Sequence, residues 1–400
     1  MPVSDLPPEI VDAIIDELRD DKESLLQASL ACRAFYPRTR VYLFSVASLR
    51  SEYGCDRLHK LITLSPELAL HFKLLEISFA SPRTSFPPAK YGGLTVIGSL
   101  INVTRLSLRR GDWCCLPDPV ASSLQSRSYR SLTIADFSFR SIGEICSLVK
   151  NSPDLNEVDI TWPSRSGITV AEECNLDHSL HSTSAPVTVH INDFDNAGSA
   201  RTVLKSILSS DPCPFSCSNI RKLNIVLPDM NPQLPQGLNQ YLSRSHSSLK
   251  CLRVHHSIIP RSLPTAVSET LHVSGVGKIE VQIFQLPVSL SRASRVLEWW
   301  ISNLSAVNEH CAIRSFMFSL IVSCNFGEMH PALAWEDLWT RLDGCLTSSK
   351  IALLERVAIA FQPRPAEWDV LKTRMEGNFV GLKQLGCEVS LNAVKSVLEF

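Results

Sequence analysis

The chain has 400 residues, a length that allows two or three ordinary domains or one elongated array. Its 39 Lys and Arg balance 40 Asp and Glu, so the charge indicates neither a nucleic-acid-binding protein nor an acidic tail. Hydrophobic residues make up 44% of the sequence, which excludes wholesale disorder.

Nothing in the sequence indicates a membrane or secretory protein. The longest apolar run, Phe316 to Val322 with Ser319 inside it, is far shorter than the roughly 20 residues that a membrane helix needs. The first twenty residues are rich in acids, which signal peptides and mitochondrial presequences avoid. We therefore expect a cytoplasmic or nuclear protein with no membrane or nucleic-acid partner, whose 13 cysteines are free thiols.

Residues 6–49 are predicted to form three short helices. Pro7 and Pro8 suit the start of the first helix, and Asp20 with Glu23 resembles a capping box that opens the second. Pro37 either ends the second helix or starts the third, and the apolar pattern of the third continues to Val46 and Leu49. The first helix carries a broad apolar stripe made of Ile10, Val11, Ile14, Ile15 and Leu18.

This stripe is too wide for a segment of that size. About 45 residues sit near the lower limit for a self-sufficient core. The lines Ile10–Ile14 and Val11–Ile15 cannot both face one small partner helix. Some of the apolar surface must therefore meet either the rest of this chain or another protein.

The same segment resembles the F-box motif in its fungal form. The resemblance rests on the order and spacing of Leu6-Pro7-Pro8-Glu9-Ile10, Ile14, Leu18, Leu25-Leu26 and Ser29-Leu30-Ala31-Cys32-Arg33, continued by residues 35–40 and 43–44. Phe35 stands where the family often has Trp. The resemblance covers about 40 residues and implies an F-box over residues 1–50 that docks on the Skp-type adaptor of a cullin–RING ubiquitin ligase. It further implies that the following residues contact the adaptor or support that contact: Leu6, Pro7, Glu9, Ile10, Ile14, Leu18, Leu25, Leu26, Leu30 and Cys32.

Beyond residue 50 the sequence contains a weak repeat. Ten short alternating segments, each predicted to be a strand, are anchored at residues 75, 106, 132, 158, 189, 223, 252, 281, 316 and 357. Helical patterns precede several of them, as at Ile142–Val149, Val296–Leu304 and Trp335–Leu342. One helix and one strand per roughly 30 residues favours strands that stack in parallel with helices on the other face.

This pattern resembles a leucine-rich-repeat solenoid of irregular, long-repeat type. The resemblance implies an α/β fold in which the F-box precedes a repeat-like array with a parallel sheet over residues 57–395. The Asn or Cys that the family places after its Leu-x-Leu strand is replaced here, for instance by Gly111, Phe137 and Pro228. An ordinary α/β domain would give a similar pattern and stays open as the alternative.

In a solenoid the target contacts would lie at outward strand positions between the apolar ones. Those positions are Ser107, Arg109, Asp159, Thr161, Asn224, Arg253, His255, Glu280 and Gln282. The set contains both signs of charge, so it identifies no class of target beyond a protein. We read the chain as a substrate-recruiting subunit, not an enzyme, that holds a target protein near the ligase.

The sequence offers no complete catalytic or metal-binding motif, and no cofactor is expected. Asp193 to Leu204 begins like a calcium loop but lacks its final Glu, and the spacings of His178, His181, Cys213 and Cys217 complete no zinc set. Two alternatives stay open. One is an F-box scaffold that acts outside a ligase, and the other is an enzyme with a hidden cysteine or metal site.

Overall fold

A computed structural model of the protein describes residues 6–78, 92–139, 142–162, 186–193, 219–228, 238–239, 241–243, 248–258, 270–285, 290–307, 311–322, 335–362 and 368–393. The chain divides into two compact units. The first comprises Met1–Arg140 and Glu144–Leu155, and the second Ser141–Gly143 and Asn156–Phe400. The compact units thus separate near residue 155, whereas the boundary near residues 50–57 stays a prediction. No helix in the described ranges is long and apolar enough to cross a membrane.

The first unit contains the amino-terminal helices and four strands. Its helices are α1 (Pro8–Glu17), α2 (Lys22–Ala31), α3 (Tyr36–Leu43), α4 (Glu52–Leu64), α5 (Asp118–Gln125) and most of α6 (Ile142–Val149). Its strands are β1 (Val46–Leu49), β2 (Leu74–Ser78), β3 (Arg105–Asp112) and β4 (Ser131–Ser138). Short 3-10 helices lie at Arg33–Phe35, Pro66–Leu70, Gly92–Ser99 and Trp113–Cys115.

The described part of the second unit contains eight strands, four helices with described bounds, and further helical residues at 238–239 and 241–243. The strands are β5 (Glu157–Trp162), β6 (Thr188–Asp193), β7 (Lys222–Pro228), β8 (Cys251–Ile258), β9 (Lys278–Gln285), β10 (Ser315–Val322), β11 (Arg356–Gln362) and β12 (Glu388–Ala393). The helices are α7 (Leu290–Ser305), α8 (Glu336–Leu346), α9 (Trp368–Glu376) and α10 (Val380–Gln384). A 3-10 helix lies at Ser349–Ile351.

Within each unit, every strand pairs in parallel with the next strand along the chain. The first unit pairs β1 to β4 in this way, and the second pairs β5 to β12. The α/β class and the parallel sheet are therefore confirmed, and all ten predicted strands are present. Strands β1 and β12 were not predicted. The finer assignment to a leucine-rich-repeat solenoid stays a prediction.

The core consists of apolar side chains that repeat at equal register from strand to strand. In the second unit one such ladder is Val158, Val189, Leu223, Leu252, Ile279, Phe316 and Val357, and another is Ile160, Ile191, Ile225, Val254, Val281, Phe318 and Ile359. All of these side chains are buried. Because side chains alternate across a strand, the residues between them lie on the opposite face, which we call the open face.

Two details of the amino-terminal prediction are wrong. The third helix ends at Leu43, and Val46 to Leu49 form strand β1. In this strand every second side chain, Ala47 and Leu49, is buried, and the backbone pairs with β2. The cap of α2 is Asp21, not Asp20, since the Asp21 carboxylate accepts hydrogen bonds from the amides of Glu23 and Ser24.

Two neighbouring strands of the first unit carry a bulge at the same register. Arg110 and Asp136 both have left-handed backbone conformations, with φ of 50° and 54°. They lie between the aligned pairs Arg109–Ala135 and Gly111–Phe137. The extra residue shifts the alternation by one, so that Phe137 points toward the buried side instead of the open face.

The pair Trp299–Trp300 and the residue His256 pack together in the core. Trp299 and Trp300 are both buried, and Trp299 packs edge-on against Trp300 and His256. The two histidines of the His255–His256 pair differ in burial. His256 is buried and its Nε2 accepts a hydrogen bond of 2.9 Å from Trp300 Nε1, whereas His255 is half-buried.

Candidate functional site

Helix α1 is covered on one side only. Pro8 occupies its first turn and Glu9 adds an acid there, which suits the positive end of the helix dipole. The helical period places Val11 and Ile15 on one line, and both are buried. The neighbouring line holds Ile10 and Ile14, which remain 48% and 42% exposed.

Helices α2 and α3 repeat this division. Leu25 of α2 is fully buried, whereas Leu26 and Leu30 are 52% and 82% exposed. On α3, Thr39 is buried and its hydroxyl donates to backbone carbonyls of the preceding turn, while Tyr36 and Val41 are exposed. We call Ile10, Ile14, Leu26, Leu30, Tyr36 and Val41 the exposed apolar set.

A polar network ties α1 to α3. Arg38 donates to both carboxylate oxygens of Asp16, at 2.6 and 2.7 Å, and the Tyr42 hydroxyl donates to Asp16 Oδ1 at 2.7 Å. Hydrogen bonding to Arg38 and then to Tyr42 lowers the pKa of Asp16 to about 2. The bidentate geometry fixes the relative orientation of the two helices and thereby the position of their exposed residues.

The exposed apolar set is concentrated in a small part of the protein. Fifteen large apolar side chains are exposed in the described part of the chain, and six of them lie between Ile10 and Val41. That segment makes up roughly an eighth of the described residues. Single exposed apolar residues are ordinary on protein surfaces, whereas each of the three successive helices α1, α2 and α3 exposes two of them.

The predicted adaptor-binding residues differ in burial: some are exposed, some are half-buried and one is buried. Ile10, Ile14, Leu26 and Leu30 are exposed together with Pro7 and Glu9, and Leu6, Leu18 and Cys32 are half-buried. Leu25 is buried and is available only as a support for the surface. The rest of the chain thus leaves Ile10, Ile14, Leu26 and Leu30 exposed. Adaptor contact itself stays a prediction.

The open face of the second unit carries the other predicted set. Rows of residues at equal register run across its strands: Asp159, His190, Asn224, Arg253 and Glu280 form one row, and Thr161, Asn192, Val226, His255 and Gln282 form the next. The predicted contact residues of this unit thus lie side by side on one surface. In the first unit, Ser107 and Arg109 hold equivalent positions on β3.

Three of the nine predicted target-contact residues, Ser107, Asn224 and Glu280, are buried instead of lying open to a target. Ser107 is covered by Arg109, whose Nε donates to its hydroxyl at 3.0 Å. Asn224 Nδ2 lies 2.9 Å from His190 Nδ1, and Glu280 is held by Arg253 and by Lys278, whose Nζ is at 2.6 Å. Arg109 is exposed, and the remaining residues of the set are half-buried: Asp159, Thr161, Arg253, His255 and Gln282.

The surroundings of His190, His255 and Glu280 on this open face favour neutral histidines and an ionised glutamate. Burial, which is reinforced by the charge of Arg253, lowers the pKa of His255 to about 4. Burial also lowers the pKa of His190. For Glu280, burial acts to raise the pKa, but the hydrogen bonds from Arg253 and Lys278 outweigh it and the net pKa is lowered.

The described residues show no assembled catalytic centre. No three His, Cys, Asp or Glu side chains in those ranges are placed to share a metal ion. Burial raises the pKa of the Cys115, Cys251, Cys311 and Cys387 thiols, and that of Cys146 to about 11, which makes them poorer nucleophiles. The sequence candidates His178, His181, Cys213, Cys217 and most of the calcium-like segment lie outside the described residues.

A cavity of about 560 Å³ lies in the first unit at the amino ends of its strands. Its lining includes Lys73, Thr104 and Arg130, the residues that directly precede β2, β3 and β4, together with Arg127. The Arg127 guanidinium donates to backbone carbonyls of Ile97, Gly98 and Leu100. This arginine therefore caps the end of a 3-10 helix and is not available as a ligand-binding group.

Sequence reasoning missed several polar residues of the open faces. Arg50, Glu76, His190 and Lys278 were not among the candidates, although each takes part in the contacts described here or below. Glu76 could have been found, because it stands between Leu75 and Ile77 as Ser107 stands between Leu106 and Leu108.

Comparisons with known proteins add no family assignment. No model of a protein family matches the chain. No curated protein matches it either.

Proposed function

We propose that the protein is a substrate-recruiting subunit of a cullin–RING ubiquitin ligase, with an F-box formed by α1 to α3 that docks on a Skp-type adaptor. The observation that carries the proposal is the exposed apolar set, above all Ile10 and Ile14 on the outer line of α1. Its residues include four of those that the F-box resemblance assigns to adaptor contact.

The energetics of this surface support a protein partner. Complete burial of one aliphatic side chain contributes about 1.5–3 kcal/mol. Ile10, Ile14, Leu26 and Leu30 are each more than 40% exposed, so covering them would contribute several kcal/mol toward association. Because Val11 and Ile15 already anchor α1 on its inner side, the helix does not have to refold to present the outer line.

The parallel strands supply the second half of the proposed role. Their open faces present polar and charged side chains at regular register, spaced roughly 4.8 Å from strand to strand. Such a surface suits a target protein, which the ligase then modifies because it is held at high effective concentration. The chain itself is not an enzyme in this proposal; it contributes position, and the bond chemistry belongs to the other subunits.

The direct test is the double substitution Ile10→Asp with Ile14→Asp in the full chain. Co-purification with the Skp-type adaptor and the cullin is expected to fall at least ten-fold, because two carboxylates would have to be desolvated in the interface. The circular dichroism spectrum should be unchanged, since both positions are exposed.

Leu64→Asp with Ile101→Asp is the matched control. These residues are 83% and 69% exposed and also lie in the first unit, but outside the amino-terminal helices. The control should retain adaptor and cullin. Full adaptor binding by the Ile10 and Ile14 variant, or an equal loss in the control, would refute adaptor docking through α1.

The same purification separates the ligase role from a scaffold role. A wild-type sample that contains the adaptor together with a cullin supports the ligase. Adaptor without any cullin would instead support an F-box protein that acts outside a ligase, for which the exposed apolar set alone suffices.

A further inference from the structure

The open face of the first unit differs in charge from that of the second. Its charged residues are Glu76, Arg105, Arg109 and Asp112 of β2 and β3, together with Arg50 directly after β1, which makes three cations against two acids. The open face of the second unit is balanced, with four cations, Lys222, Arg253, Lys278 and Arg356, against four acids, Glu157, Asp159, Glu280 and Glu388. The excess positive charge therefore belongs to β1 to β3.

Two of these cations converge on Glu76. Arg50 Nη2 donates to Glu76 Oε2 at 3.1 Å, and Arg109 Nε lies 3.6 Å from Glu76 Oε1. Ser48 and Ser107, which flank Glu76 on the neighbouring strands, accept hydrogen bonds of 2.9 and 3.0 Å from the Nε atoms of the same arginines. We call Arg50, Glu76 and Arg109 the arginine clamp.

The arginine clamp has unused donors at its outer ends. Arg50 Nη1 and both Nη atoms of Arg109 donate no hydrogen bond to the described residues, and the two side chains are 71% and 52% exposed. Their Nε atoms are anchored on serines, so each guanidinium loses less freedom when a ligand binds. A planar guanidinium with free Nη donors suits an oxyanion.

Building on the proposed target-binding role, we propose that the arginine clamp binds a carboxylate side chain of an extended acidic segment in the target protein. Two arginines and one glutamate leave a single net positive charge, which matches one carboxylate. A phosphate carries nearly two negative charges at neutral pH and would lie close to Glu76. The geometry thus favours glutamate or aspartate over a phosphorylated residue.

Arg105 extends the match along β3. It is exposed and forms no ion pair with the described residues, and it lies four residues before Arg109 on the same face. At about 3.3 Å per residue, the two Cα atoms are roughly 13 Å apart. A target segment that lies extended along β3 with acids at every second position would place one carboxylate over each arginine.

The experiment measures binding of a short fluorescein-labelled peptide, with alternating glutamate and threonine, to the purified full chain by fluorescence anisotropy. The double substitution Arg50→Gln with Arg109→Gln should weaken binding about ten-fold, as expected for loss of a charge-assisted contact. Arg314→Gln with Arg356→Gln removes two cations of similar exposure, 62% and 57%, each also paired with one glutamate. This control should bind like the wild type.

Three further samples decide between explanations. A glutamine–threonine peptide should not bind, and a phosphoserine–threonine peptide should bind more weakly than the glutamate peptide. A single-stranded oligonucleotide should not compete at equal charge. Equal weakening by both double variants, tighter binding of the phosphopeptide, or competition by the oligonucleotide would overturn the proposal. The Ile10→Asp, Ile14→Asp variant should bind the glutamate peptide normally, so failure of adaptor docking and failure of the clamp are distinguishable.

Discussion

Helices α1 and α7 carry similar apolar stripes, but the rest of the chain buries the whole stripe only in α7. In α7, Val296, Leu297, Trp300 and Leu304 are all buried, and the helix packs against α8 and β8. In α1, only the line of Val11 and Ile15 is buried. An apolar stripe therefore predicts that a helix has a contact to make, but whether the chain itself supplies that contact depends on the neighbouring elements.

The largest expected effect is for Trp300 at the centre of α7, the helix whose apolar stripe is buried. Trp300→Ala should lower the free energy of unfolding of the second unit by about 3–5 kcal/mol, because it leaves a large cavity and removes the donor to His256. Hydrogen–deuterium exchange read by mass spectrometry can assign the loss to β8 and α7. Wild-type protection there would show that α7 is packed less tightly than described.

Adjacent isoleucines of α1 sharpen the comparison within one helix. Ile15→Ala should cost about 2–5 kcal/mol because Ile15 is fully buried, whereas Ile14→Ala should cost less than about 1 kcal/mol. Chemical denaturation followed by circular dichroism measures both. Adaptor affinity should reverse the order once folding is accounted for, with Ile14→Ala the more harmful. Equal stability effects would mean that α1 is not one-sided.

The smallest expected effect concerns the network that orients α1 on α3. The lowered pKa of Asp16, caused first by hydrogen bonding to Arg38, means that its stabilising effect is complete above its ordinary pKa of 3.8 and is lost as the pH falls through about 2. Asp16→Asn should therefore lower the melting temperature near neutral pH by less than Ile15→Ala does. The difference from wild type should disappear below about pH 2.

Asp20→Asn serves as the control for this titration. Its carboxylate is 93% exposed and its contact with Arg19 is 3.5 Å, so the substitution should leave the melting temperature nearly unchanged. An Asp16→Asn effect that does not change between neutral and acidic pH would show that the network stabilises through shape alone.

Much of the fold could be predicted from the sequence because most strands show a local alternation of apolar and other residues. Pairs such as Leu106-x-Leu108 and Val357-x-Ile359 alternate strictly, and the ladders that they form are buried on one face. Strand β1 was missed because its inward residues are only Ala47 and Leu49 and the segment directly follows a helix. Strand β12 was missed because only Leu391 is buried within it.

The candidate sites were harder to predict because they depend on register and neighbours. The sequence showed that α1 is apolar on two lines, but it could not show that Val11 and Ile15, and not Ile10 and Ile14, would be the covered pair. In the arginine clamp, Glu76 contacts Arg50 26 positions before it and Arg109 33 positions after it in the chain. Only the parallel pairing of β1, β2 and β3 brings them together.

The sequential pairing of strands also determines how far unfolding extends when one strand is lost. Inside each unit a strand exchanges backbone hydrogen bonds with its chain neighbours, so coupling is short-ranged, as in a one-dimensional lattice. Deleting β12 should therefore fray β11 and leave β5 to β8 intact, instead of collapsing the whole sheet. Truncation from the carboxyl end should therefore remove one strand at a time while the remaining strands keep their register.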